Sequence, residues 1–168
     1  AEDMGPEALE AHAAKLAEYR DGIGNEYNTL RIAATLHDIG KVGIPNEILH
    51  KPSNLTPEEY AVIKRHSEMA EAILKPLDSG SPISSIVRHH HEHYDGSGYP
   101  DGLRGDEIPL ASRIIAIADA YDAMSSDRPY RSALPFSKCL EEISVHAGTQ
   151  FDPEWSQVLL ELANTGSI

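Results

Sequence analysis

Thr56-Pro57-Glu58-Glu59-Tyr60-Ala61-Val62-Ile63-Lys64-Arg65-His66-Ser67-Glu68-Met69-Ala70-Glu71-Ala72-Ile73-Leu74-Lys75-Pro76-Leu77 reads as helix from its first residue. Thr56 followed three positions later by Glu59 is a capping box, and Pro57 takes the first helical position, where no N–H is needed. Behind that start Ile63, His66, Ala70, Ile73 and Leu77 recur at intervals of three or four, which puts them on roughly one face. The neighbouring segments carry the same punctuation. Ser81-Pro82 opens a helix through Ile83, Ile86 and Val87 into His89–His93. Pro109 starts an apolar helix from Leu110 to about Met124, and Pro135 precedes one through Phe136, Leu140 and Ile143 that stops near Gly148. Asp152-Pro153-Glu154 begins the last, with Trp155, Val158, Leu159 and Leu162 as its apolar side. Upstream, Glu7 to about Tyr19 reads as helical, and Asn28 is placed to cap a helix running to His37, with Gly40 ending it. Asp95-Gly96-Ser97-Gly98-Tyr99-Pro100-Asp101-Gly102 is loop. No alternating strand or repeat interrupts the pattern, so the sequence predicts an all-α bundle of about six to seven helices.

The 168 residues suit one domain, with 40% hydrophobic and 24% charged residues as in ordinary globular chains. The net charge of −13 argues against nucleic acid and against contact with an anionic membrane, since both need a basic face. The lone Cys139 excludes an intramolecular disulfide and a multi-cysteine zinc site. No apolar run approaches the ~20 residues of a membrane span. A start at Ala1 is the expectation for a fragment of a longer protein. The anomaly is histidine, with nine residues of which four fall within 89–93.

Four helices each deliver a metal-ligand residue at an end or on an inner face. His37-Asp38 closes one, His66 lies on the apolar side of the next, His90 and His91 end the third, and Asp119 sits inside Ile114-Ile115-Ala116-Ile117-Ala118-Asp119-Ala120-Tyr121. A carboxylate in such surroundings needs a cation or strong hydrogen bonds. Taken singly, His66 reads as a core histidine, Asp119 as a structural acceptor and the histidine run as a solvated helix end. Together they form the nitrogen and oxygen ligand set of a first-row transition metal.

Ordered motifs then make the chain resemble a known family. His37-Asp38-Ile39-Gly40-Lys41 is similar to the signature of the HD metal-dependent phosphohydrolases. His90-His91-Glu92, Asp95-Gly96-Ser97-Gly98-Tyr99-Pro100 and Ile117-Ala118-Asp119-Ala120-Tyr121-Asp122-Ala123 resemble the HD-GYP subfamily. Arg128-Pro129-Tyr130-Arg131 and Gly148-Thr149-Gln150-Phe151-Asp152-Pro153 match its later motifs. The resemblance implies a single HD-GYP domain over 1–168, cut from a signalling protein with a sensor or receiver domain ahead of it. It further implies hydrolysis of cyclic di-GMP in the cytoplasm to linear pGpG, with GMP as a further product.

By motif position, the resemblance implies His37, Asp38, His66, His90, His91 and Asp119 as ligands of two divalent ions, with Asp38 bridging them. His12 resembles the family's first ligand, although the stretch from His12 to His37 is shorter than usual. Ala8 stands where members with a third metal have glutamate, which favours two ions. Iron or manganese suits this donor set best, with cobalt, nickel or zinc as alternatives. Two metals ~3.5–4 Å apart turn a bridging water into hydroxide and neutralise the phosphate as in-line attack proceeds. Lys41 resembles the lysine aimed at the scissile phosphate, and Arg128 and Arg131 resemble contacts to phosphate or guanine. Gly98-Tyr99-Pro100 is read as a pocket wall and as a docking surface for partners such as diguanylate cyclase domains. The alternatives are a hydrolase of another cyclic dinucleotide, and a weakly active module that docks partners through the Gly-Tyr-Pro loop.

Overall fold

The computed structural model describes residues 25–78, 82–127 and 132–165. Helix α1 is described over 25–36 and passes through a turn at His37-Asp38 into a 3-10 turn, Ile39–Gly43. There follow the short α2 (Asn46–Leu49), α3 (Pro57–Lys64) and α4 (His66–Leu74). Next come α5 (Ile83–Arg88), α6 (Leu110–Ser125), α7 (Phe136–Val145) and α8 (Pro153–Asn164). Among the described residues there is no strand beyond one isolated bridge between Ala147 and Phe151. The all-α expectation therefore holds.

Several starts fall where side-chain chemistry puts them. The Thr56 hydroxyl accepts from the Glu59 N–H while the Glu59 carboxylate accepts from the Thr56 N–H, so the capping box is complete. Asp152 caps α8 by accepting from the N–H groups of Glu154 and Trp155. Pro109 and Pro135 precede α6 and α7 as expected. Other details differ. The 56–77 run is two helices that break at Arg65, where the Ser67 hydroxyl donates to the Lys64 carbonyl at 2.9 Å. Asn28 lies inside α1 rather than at its cap, and α5 stops at Arg88, leaving His89–His93 in the turn beyond it. Gly40 sits buried in the 3-10 turn instead of ending α1. Ile73 is 42% exposed, because the buried face of α4 is set by His66, Ala70 and Leu74 at steps of four and Ile73 lies one residue off that line. Val158 and Leu162 are likewise outward-facing on α8, where Trp155 and Leu159 make the packing contact. The Glu7–Tyr19 helix, and the side chain of Leu77, lie outside the described residues.

Two apolar clusters hold the bundle. Ala33, Ala70, Leu74, Ile86, Val87 and Ile115 join α1, α4, α5 and the start of α6. Ile117, Ile143 and Phe151, flanked by Met124, Trp155 and Leu159, join the rest of α6 to α7 and α8. The first cluster brings the 3-10 turn against α4. A Cβ on Gly40 would lie 1.8 Å from the His66 carbonyl oxygen and 2.7 Å from the Ala70 nitrogen, so only glycine lets the two backbones approach this closely.

Candidate metal centre

The residues after Leu36, at the start of α4, after α5 and midway along α6 converge on one place. Histidine rings occupy its centre. His37 and His90 have centroids 5.1 Å apart, His66 and His90 5.4 Å, His66 and His91 5.0 Å, and His90 and His91 4.0 Å. The two carboxylates stand at the edge. His37 Nε2 is 3.5 Å from Asp38 and 3.7 Å from Asp119, and His66 Nε2 is 3.6 Å from Asp38. Lys41 Nζ is 2.5 Å from Asp38 Oδ2. Thus the structure brings together every site residue expected from 37 to 119. His12, Arg128 and Arg131 lie outside the described residues.

Three of the rings are oriented by one repeated device. Nδ1 of His37 faces the Ala34 carbonyl at 2.7 Å, Nδ1 of His66 that of Ile63 at 2.8 Å, and Nδ1 of His90 that of Val87 at 2.6 Å. Each carbonyl is three residues back, at the end of the preceding helix, where it is free to accept. At His66 and His90 a proton held on Nδ1 leaves Nε2 as a lone pair pointing inward, which is the state a metal requires, while His37 Nε2 faces the Asp119 carboxylate. Within this cluster His66, His90 and His91, and separately His37, Asp38 and His90, present ligand atoms within 4.8 Å of one another. The donor set is imidazole and carboxylate, so the residues present fit divalent first-row metals.

The electrostatics agree with that use. Burial pushes the His66 pKa down, that of His90 down to about 4 and that of His91 down to about 2, so these rings stay neutral. The Asp119 hydrogen bond pulls the His37 pKa upward against burial, and the same contact holds Asp119 at about 2, as a carboxylate. Neutral His66, His90 and His91 beside the Asp119 carboxylate receive a cation without a prior loss of protons, whereas His37, whose protonated form Asp119 favours, gives up a proton on binding.

A second layer, missed in the sequence, shapes the wall. Glu92 is 2% exposed, and its Oε1 accepts from the Asp101 N–H at 2.7 Å and the Gly102 N–H at 3.1 Å. Arg88 forks onto both oxygens of Asp101 and reaches Glu71 at 2.8 Å, while His89 Nε2 meets Asp101 at 2.9 Å. Together these pin the end of the Gly-Tyr-Pro loop to α5 and α4. The Tyr99 N–H donates to the His91 carbonyl, laying the Tyr99 ring on His91 at 4.9 Å between centroids and 31° between planes. Gly98 permits this, since a Cβ there would be 2.2 Å from the His93 nitrogen. In the sequence, the signal for this layer is Glu92, directly after the histidine pair.

The comparisons with known proteins agree with this geometry. A family model described as HD domain matches residues 4–155. A cyclic di-GMP phosphodiesterase of Thermotoga maritima is 45% identical over 137 residues, covering 79% of this chain and 37% of that protein. The 3′3′-cGAMP-specific phosphodiesterase 3 of Vibrio cholerae is 40% identical over 160 residues, covering 91% of this chain and 35% of that protein. A cyclic di-GMP phosphodiesterase response regulator of Xanthomonas campestris is 41% identical over 157 residues, covering 89% and 40%. The chain therefore spans less than half the length of these relatives. In fold it is similar to the crystal structure of a cyclic GMP-AMP specific phosphodiesterase of V. cholerae, with a TM-score of 0.63 at 20% identity over 83% of this chain and 39% of that one. With its HD motif, its histidine pair and its Gly-Tyr-Pro loop gathered around one cluster, the chain belongs to the HD domain family, in its HD-GYP subfamily.

Proposed function

We propose that this chain is the catalytic domain of a phosphodiesterase that hydrolyses cyclic di-GMP to pGpG, with GMP as a further product. The observation that carries the reading is the set of three histidines whose Nδ1 atoms are held by backbone carbonyls, with the Nε2 atoms of His37 and His66 facing the Asp38 and Asp119 carboxylates and that of His90 facing His66 Nε2. His37, Asp38, His66, His90, His91 and Asp119 would hold two divalent ions, with Asp38 shared and His12 as a further ligand. Iron or manganese is the preferred pair, ahead of cobalt, nickel or zinc. When bound, such ions supply Lewis acidity toward the phosphodiester and lower the pKa of water near neutrality.

The chain's own residues do the rest. Asp38 and Asp119 draw cations to the floor of the site. Lys41 shares the Asp38 carboxylate, so its ammonium becomes available to a phosphate oxygen once a cation neutralises that carboxylate. Tyr99, lying on His91, forms the wall beside the reacting phosphate, and Gly98 and Pro100 set its position. Arg128 and Arg131 are assigned to phosphate or guanine contacts. In the parent protein a sensor or receiver domain would feed this one, and the Gly-Tyr-Pro loop offers a docking surface for diguanylate cyclase domains. A cytoplasmic setting follows from the substrate. No described helix is long and apolar enough to cross a membrane.

Hydrolysis of 3′3′-cGAMP is the second reading, favoured by the 40% identity to a V. cholerae enzyme named for that substrate. A module that only docks partners is not favoured, because the described candidate ligands gather in groups that could hold a metal ion. The test is turnover of both dinucleotides by metal-loaded protein prepared without oxygen, beside Asp38→Ala. Linear product from cyclic di-GMP with the unsubstituted chain alone is the expected result. Product from 3′3′-cGAMP only would transfer the assignment to that substrate, and no product with two metals bound would overturn both.

A further inference from the structure

Lys64, the last residue of α3, is an unspent cation in a strongly acidic protein. Among the described residues Lys41, Lys51, Lys75 and Lys138 each have a carboxylate partner, and Lys64 has none. Its ammonium lies instead over two aromatic faces, 5.3 Å from the Tyr60 centroid and 5.6 Å from the Tyr99 centroid. Tyr60 is 48% exposed, so this pair of rings opens to solvent. Tyr99 also lies on His91, so Lys64 stands one aromatic ring away from the metal-ligand cluster.

That placement fits a ligand with two separate anionic groups. The metal-ligand cluster with Lys41 takes one phosphodiester, and Lys64, which lies over the Tyr99 ring and has no carboxylate partner among the described residues, is placed for another. We propose that Lys64, flanked by Tyr60 and Tyr99, binds the second, non-scissile phosphate of a cyclic dinucleotide. A second phosphodiester exists only in a cyclic dinucleotide, so this assignment rests on the function proposed above. A cation held on π faces exchanges that contact for a phosphate oxygen without breaking an ion pair, which favours binding over a lysine already engaged by a carboxylate. The tyrosines define the direction of approach, and their faces remain for a purine to stack on.

The experiment uses metal-loaded protein turning over bis(p-nitrophenyl) phosphate, with cyclic di-GMP and the linear dinucleotide GpG as competing ligands. GpG keeps both guanines and has a single phosphodiester. Lys64→Gln is expected to raise the inhibition constant of cyclic di-GMP about tenfold, the size of one charge-assisted contact, and that of GpG less than twofold. Lys64→Arg is expected to restore most of the loss. Metal content and the far-UV spectrum of each variant show that it is folded. Equal losses for both ligands would overturn the assignment, placing Lys64 on the base, and unchanged constants for both would overturn it as well. If cyclic di-GMP fails to compete even with the unsubstituted chain, the proposed substrate is wrong and the Lys64 assignment falls with it. Competition that survives in Lys64→Gln at full strength overturns Lys64 alone.

Discussion

At the scale of the residue, the centre depends on histidines that remain neutral. His66, His90 and His91 have pKa values lowered by burial, the last two to about 4 and about 2. In metal-free protein such groups contribute stability above the unfolded value of about 6.5 and lose it as pH falls toward the folded value, because the unfolded chain then binds the extra protons. His37 has the opposite sign. Its raised pKa gives stability that is complete below about 6.5 and is lost only as pH rises. Asp119 loses its contribution only below its unfolded value of about 3.9. Between pH 6.5 and about 5, above the range where the carboxylates Glu58, Glu59 and Asp119 gain protons in the unfolded chain, the slope therefore comes chiefly from the three buried rings. Thermal melts of chelated protein should fall steadily across that window, and proton NMR should show the His90 and His91 rings unprotonated at pH 5. Protonation of either ring near pH 6.5 would show that burial does not control it. Which residues would meet here was legible in the sequence, since HD, the histidine pair and the mid-helix aspartate were each visible. The orientation was not. It depends on carbonyls at Ala34, Ile63 and Val87, and a backbone oxygen leaves no trace in residue identity.

At the scale of the element, two close approaches fix the site, and each gives a prediction. The 3-10 turn carrying Asp38 meets α4 through Gly40, where a methyl would collide with the His66 carbonyl. Gly40→Ala should cost about 3 kcal/mol, at the upper end for overpacking, since backbone rather than a flexible side chain must yield. Denaturant unfolding measures that cost, and a loss below about 1 kcal/mol would mean the turn can slide along α4. The Gly-Tyr-Pro loop depends on Glu92, whose carboxylate receives two backbone N–H groups. Glu92→Ala should destabilise by roughly 2–3 kcal/mol, as expected for hydrogen bonds to a charged group, and should raise KM for the dinucleotide more than it lowers kcat. Wild-type KM in that variant would show that Arg88 and His89 hold the loop unaided. Helix starts were legible because Thr56, Asp152, Pro109 and Pro135 act locally through their own side chains. The break at Arg65 was not, because both α3 and α4 satisfy helical periodicity and only the packing of His66 and Ser67 inward separates them.

At the scale of the whole molecule, a chain of net charge −13 concentrates cation-seeking groups at one point of its bundle. The proposed ligand residues come from four separate places in the chain: the turn after α1, the start of α4, the turn after α5, and the middle of α6. An ion binding there joins elements that otherwise meet through apolar contacts, and it binds only the folded arrangement. Ligands of that kind stabilise by mass action, about 2.7 kcal/mol when free metal exceeds the dissociation constant a hundredfold. For a domain of this size each kcal/mol moves Tm by about 2–4 °C. Dialysis against a chelator should therefore lower Tm by roughly 5–10 °C, and readdition of manganese or iron under anaerobic conditions should restore it. Asp38→Ala should show little of this shift, because it loses the carboxylate nearest to both His37 and His66. Amide exchange should quicken on chelation in the 3-10 turn, at the start of α4 and in the turn after α5. In α7 and α8, packed through the second apolar cluster, it should change least. A uniform change across all helices would mean that metal stabilises the bundle as a single cooperative unit, whereas the expected gradient would mark the cluster at Ile117, Ile143 and Phe151 as a core that stands without it.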